Sequence, residues 1–176
     1  MPRLGRRPPW HRWLHTHRVP VVYTNITPAA AGTVYLCAID VPWDCIVDRL
    51  QAHIAAVNSG HVRLGLYREG STQDSPAGGA LVVESASTAP PGASRPIVAS
   101  VSDTLLTRGL HFLAVQADNT TVTIQIIYAA SAIWSYSYTR AGGYGAFTNP
   151  CPSASAENNQ VVGAIRVKQV VDGGMS

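Results

Sequence analysis

A chain of 176 residues is long enough for one domain whose core hides roughly 68–70 % of the unfolded surface. Only 13 % of its residues are charged, against about a quarter in an average globular protein, which weighs against a lone cytosolic enzyme and suits a β protein with large contacts between subunits. No run reaches the ~18–20 apolar residues of a membrane span, and the basic N-terminus lacks the apolar core and small-residue cleavage site of a signal peptide.

The net charge of +3 conceals an asymmetry. Arg3, Arg6, Arg7, Arg12 and Arg18 fall within the first 18 residues, with no acid among them. The other eight basic residues face ten acidic ones, a net of −2. Residues 1–20 therefore read as an extended basic arm. Pro2, Pro8, Pro9 and Pro20 deny it a regular helix or a central strand. Trp10, Trp13 and Leu14 equip it to lie on another surface: a neighbouring subunit, an anionic protein face or nucleic acid. The alternative is a disordered tail.

A β domain is expected over 21–171. Val21–Thr24 opens a first strand, and Thr33–Val41, apolar on both sides, is a central one ending at the Pro42-Trp43-Asp44 turn. Ile46–Val57 alternates as a strand, although Ile46, Leu50, Ile54 and Val57 also fit a helix. Asn58-Ser59-Gly60 is a hairpin-type turn before His61–Arg68, with Val62, Leu64 and Leu66 inward and Arg63 outward. Loops at 69–79 and 87–94 flank a short strand, Ala80–Ser85, and Ile97–Val101 is a further strand.

Leu110–Tyr128 carries the clearest pattern: two alternating runs around Asp118-Asn119, which predicts a tight hairpin with left-handed turn residues. Residues 129–160 form a long Gly-, Ser- and aromatic-rich loop with Trp134, Tyr136, Tyr138, Tyr144 and Phe147. Such side chains stack on sugars, pack a partner or fold back on their own sheet. Val161–Val170 is the last strand, with Ile165 and Val167 inward, and 172–176 is a loose tail. About eight strands and no convincing helix predict an all-β, antiparallel, jelly-roll-like sandwich of two sheets.

Chemical motifs are sparse. Cys37, Cys45 and Cys151 contain no C-x-x-C pair; they read as small buried hydrophobes, with a Cys37–Cys45 bridge across a hairpin as the alternative. His11, His15 and His17 cluster in the arm but lack a carboxylate partner, so no metal and no cofactor is expected. Asp40, Asp44, Asp48, Asp103 and Asp118 could supply a glycosidase pair, yet most sit where turns favour Asp. Asn25-Ile26-Thr27 and Asn119-Thr120-Thr121 match glycan acceptors but read as turn residues. No catalytic residue is assigned.

The order of segments is informative. Pro42-Trp43 leads into Ile46-Val47-Asp48-Arg49-Leu50; then come Val62-Arg63-Leu64-Gly65-Leu66-Tyr67-Arg68-Glu69, a Gly/Pro-rich loop, Leu106 through Gln116, and Gly143-Tyr144-Gly145 before the closing strand. Over residues 21–170 this resembles the β-sandwich modules of tailed-bacteriophage fibres, spikes and related appendages. The resemblance implies a non-enzymatic virion component on the particle exterior, commonly a homotrimer, whose N-terminal segment attaches to other virion proteins. Arg3, Arg6, Arg7, Trp10, Arg12, Trp13 and Arg18 would form the docking arm, although the Arg/Trp/His composition has no counterpart in that pattern. The aromatic loop would contact a neighbouring subunit or a host glycan; nucleic acid is not the expected partner. The alternatives are a carbohydrate-binding module using 134–147 and a hydrolase on the same scaffold.

Overall fold

The computed structural model describes residues 12–16, 23–56, 60–92, 94–128, 137–157 and 159–171. These contain β1 (Arg12–His15), β2 (Tyr23–Ile26), β3 (Val34–Val41), β4 (Cys45–Ala56), β5 (Val62–Arg68), β6 (Leu81–Glu84) and β7 (Arg95–Leu106). They continue with β8 (Gly109–Ala117), β9 (Thr123–Tyr128), β10 (Ser137–Arg140), β11 (Ser155–Glu157), β12 (Asn159–Val161) and β13 (Gly163–Val170). No helix occurs among the described residues.

Strands β2 to β9 pair as an antiparallel ribbon doubled on itself: β2 with β9, β3 with β8, β4 with β7, β5 with β6. Rolling the ribbon adds β4–β9 and β5–β8. Two facing antiparallel sheets result, a β-sandwich. The first sheet holds β1, β2, β4, β7, β9, β12 and β13; the second holds β3, β5, β6, β8, β10 and β11.

Alternation settles the ambiguity in β4. Cys45, Val47, Leu50, Ala52 and Ile54 are buried between the sheets, while Ile46, Asp48, Arg49, Gln51 and His53 are less so. This is the period-two pattern of a strand, with one slip in register between Val47 and Arg49. Opposite β4, the inner face of β8 contributes Leu113, Val115 and Ala117 to the same core.

The expected hairpin at Leu110–Tyr128 is overturned. Strand β8 lies in the second sheet and β9 in the first. The reason is that β8 is apolar on both faces and already has β3 on one edge and β5 on the other. With no edge left for β9, the chain must cross between sheets. Asp118 and Asn119 do not adopt positive φ; the non-glycine residues that do, among those described, are Asp74 and Ser94. Instead Asp118 holds the corner to the start of β5, accepting the His61 N–H at 2.9 Å and meeting His61 Nδ1 at 3.2 Å. The connections β3–β4, β4–β5 and β7–β8 also change sheets. Cys37 and Cys45 therefore stand on strands of different sheets, and all three cysteines are free thiols.

The stretch expected as one irregular loop, 129–160, contains β10, β11 and β12, and its residues 129–136 lie outside the described ones. The closing strand enters where β9 diverges from β4. There Val162 donates to the Gln125 carbonyl at 3.0 Å and accepts from the His53 N–H at 2.9 Å. Gly163 is required at this point: a Cβ would meet Leu113 Cδ2 of the opposite sheet at 2.3 Å.

Candidate functional site

Two regions hold the residues singled out from the sequence. The first is the arm. Arg3, Arg6, Arg7, Trp10 and Arg18 lie outside the described residues, as do His11 and His17. Arg12 and Trp13 are in β1, which pairs antiparallel with β13: Arg12 opposite Val167, Trp13 opposite Arg166, Leu14 opposite Ile165, His15 opposite Ala164. Leu14 turns inward and packs on the main core, so Trp13 and His15 face outward.

Thr16 fastens this strand. Its N–H donates to the Gly163 carbonyl at 3.0 Å. Its hydroxyl donates to the Val161 carbonyl at 2.8 Å and accepts the Gly163 N–H at 3.1 Å. The Gln160 side-chain amide donates to the Thr16 carbonyl. Thr16 and Gln160 are both buried, and each polar group in this knot has a partner, as buried polar groups require.

Beside β1, the outward face of the first sheet carries a two-point pair in which Arg166 Nε donates to Asp48 Oδ1 at 2.8 Å and Arg166 Nη2 to Asp48 Oδ2. The Arg166 hydrogen bonds hold the Asp48 carboxyl below its usual pKa, against the opposing effect of burial. Lys168 makes a single, exposed contact across the sheet, its Nζ 2.5 Å from Asp103 Oδ2.

The second region is the aromatic loop. Phe147 is 5 % exposed and sits edge-on to Tyr67, with ring centroids 6.2 Å apart. Together with Val34, Leu36, Phe112, Ala114 and Cys151 they form a second, smaller core on the outer face of the second sheet. Gly65 lies directly beneath, where a Cβ would meet the Phe147 ring at 2.7 Å. Polar side chains bind the loop down. Glu84 accepts the Phe147 N–H at 3.0 Å, and Tyr67 donates its hydroxyl to the Thr148 carbonyl at 2.8 Å. Gln116 donates to the Gly32 and Gly143 carbonyls and accepts from Gly145. Burial pushes the Tyr67 phenol up to about 12.

Tyr138 is also used internally, edge-on to Phe112 and donating its hydroxyl to the Asp74 carbonyl at 2.6 Å. The half-buried Tyr144 has its hydroxyl 2.5 Å from that of Ser87 and the Arg63 guanidinium 6.0 Å from its ring centroid. Tyr138, Tyr144 and Phe147 thus pack on their own sheet; Trp134 and Tyr136 lie outside the described residues.

The carboxylates weighed for catalysis have structural partners. Asp44 accepts the Arg108 N–H at 2.7 Å, Asp118 holds His61, Asp48 holds Arg166 and Asp103 holds Lys168. Among the described residues no group of three or more His, Cys, Asp and Glu is placed to hold a metal. Nor is any helix among the described residues long and apolar enough to cross a membrane.

Sequence reasoning missed Gln116 and Glu84, two of the side chains that tether the loop backbone. The signal for Gln116 was present: it is a polar residue closing an otherwise apolar run, Phe112-Leu113-Ala114-Val115-Gln116. No protein-family model matches this chain, and no curated protein matches it.

Proposed function

We propose that the protein is a non-enzymatic structural component of a phage-like virion: a homo-oligomeric β-sandwich, most simply a trimer, on the particle exterior. In this reading the basic segment before Arg12 grips other virion proteins, Arg through bidentate contacts to carboxylates and Trp10 as a buried anchor. The observation that carries the reading is the attachment of β1. Its pairing to β13 and the knot at Thr16 make Arg12–His15 part of the sheet. A pull on the preceding residues is then borne by strand pairing rather than by a hinge.

Deletion of residues 1–11, sparing β1, tests this. The truncated protein should fold and assemble with itself yet be lost from particles. Incorporation at normal copy number would refute the anchoring role.

A second reading rests on Tyr144, a half-buried ring with Arg63 and Ser87 beside it. An aromatic beside polar donors suits contact with a host glycan. Glycan binding by the intact protein that disappears in Tyr144→Ala would support it.

A further inference from the structure

The two outer faces of the sandwich are in different conditions. On the second sheet the chain supplies its own roof, residues 141–151, and a small core forms beneath it. The first sheet has no such roof among the described residues. Val98 on β7 is 38 % exposed, Leu105 on β7 is 53 % and Val170 on β13 is 44 %; these are the exposed large hydrophobics among the described residues, and all belong to this sheet.

Register places them. Ile97, Ala99 and Leu106 point into the core, so Val98 and Leu105 point outward. Leu105 is paired with outward-facing Ile46, and Val98 with Gln51. Trp13, Arg166, Arg49 and Ser100 lie in one line across four strands. Trp and Arg are the residue types that dominate binding energy at protein interfaces.

We infer that this outward face, spanning β1, β13, β4 and β7 with Val98 and Leu105 along its β7 edge, is the contact between copies of this chain. The inference rests on the oligomeric reading above and locates its interface. Charge supports a copy of the same chain as the occupant. Each carboxylate on the face is paired with a neighbouring cation, Asp48 with Arg166 and Asp103 with Lys168, and Arg49 adds one further positive charge. The face carries both signs in near balance, so two copies can meet without opposing like charges, whereas a strongly charged partner gains little there. Size also fits. Strands β1, β13, β4 and β7, of 4, 8, 12 and 12 residues, at ~3.3 Å per residue and ~4.8 Å spacing give a flat area on the order of 570 Å². Side-chain relief raises that toward the ~800 Å² per partner of a standard interface.

The test is sedimentation of the full chain over a range of concentrations, with circular dichroism to verify folding. The variants are Leu105→Arg and Val98→Arg, with Gln73→Arg on an exposed loop as control. The wild type and Gln73→Arg should be oligomeric. Each face variant should remain folded and associate at least about tenfold more weakly, as expected for an unpaired charge introduced into an apolar part of an interface. Two folded face variants that associate like the wild type would overturn this inference and leave the oligomeric reading standing. A wild type that is single at every concentration would overturn both. Face variants that keep their self-association but drop out of particles would assign the face to another virion protein, which also overturns it.

Discussion

Thr16 and Gly163 bond reciprocally: the Thr16 N–H donates to the Gly163 carbonyl at 3.0 Å, and the Gly163 N–H donates to the Thr16 hydroxyl oxygen at 3.1 Å. The same hydroxyl reaches the Val161 carbonyl. Thr16→Val keeps the shape and removes the oxygen, leaving a buried donor and acceptor without this partner. The expected loss is about 1–3 kcal/mol, measured as a lower urea midpoint. Protease cleavage near β1 should become faster, because the strand loses its clamp. A midpoint equal to that of the wild type would mean that the knot contributes nothing.

The contact between Gly65 and Phe147 leads to a second expectation. Gly65→Ala forces a methyl group into the ring, at a cost of about 1–3 kcal/mol. Phe147→Ala empties the small core at a cost of about 3 kcal/mol. In the double variant the methyl has space, so Gly65→Ala should cost much less than it does alone. A double-mutant cycle by urea unfolding measures that coupling; simple additivity would show that the loop does not press on the sheet here.

Acid should weaken the fold in two separate windows. His111 is 2 % exposed, its Nε2 is buried without a hydrogen bond, and its Nδ1 lies 3.2 Å from the Gly109 carbonyl. Burial is the main cause holding its pKa below 6.5; Arg68 adds to the effect and the Gly109 carbonyl opposes it. The unfolded chain therefore takes up the proton first. Stability is full above about pH 6.5 and falls as pH drops from there toward the folded pKa. His53, also lowered by burial, acts in the same direction. His111→Gln should flatten the pH dependence of the melting temperature between about pH 6.5 and 5. Asp48 acts lower down. Its folded pKa is below 3.8, so its contribution is present above that value and lost as pH falls through the folded pKa. Asp48→Asn should flatten that lower limb without altering the upper one.

The cysteines should behave as inert core residues. All three are buried, and burial pushes the Cys37 thiol up to about 12 and the Cys45 thiol up to about 11. A thiol-reactive dye at pH 8 should label the native protein very slowly and label three thiols once the protein is unfolded. Rapid labelling of the native protein, or fewer than three thiols in the unfolded protein without reductant, would contradict the buried free-thiol state.

Strand identity was legible where apolar residues alternate toward the main core, as in β4, because burial on one face imposes a period of two on the residues themselves. Pairing was not. Asp118-Asn119 looks like a hairpin turn locally, but strand β8 has both edges filled by β3 and β5, which no local signal reveals. The aromatic loop was visible as composition. Its anchoring at Glu84 and Gln116 was not, since those residues are 63 and 29 positions from the backbone groups they hold. Likewise, Pro and Arg content marked the arm as irregular, while Leu14 and Thr16 join its last described residues to the sheet.

The seam at Val162 bears on how the molecule matures. Strand β13 fills the side of β4 next to β9, and β1 can pair only after β13 is in place. On a growing chain, the earliest described strand must wait roughly 150 residues for its neighbour to emerge, as the register Leu14 opposite Ile165 requires. Synthesis thus exposes an incomplete sheet until β13 has emerged. Closure is a late, long-range event of the kind that slows folding and leaves unfinished edges open to neighbouring chains.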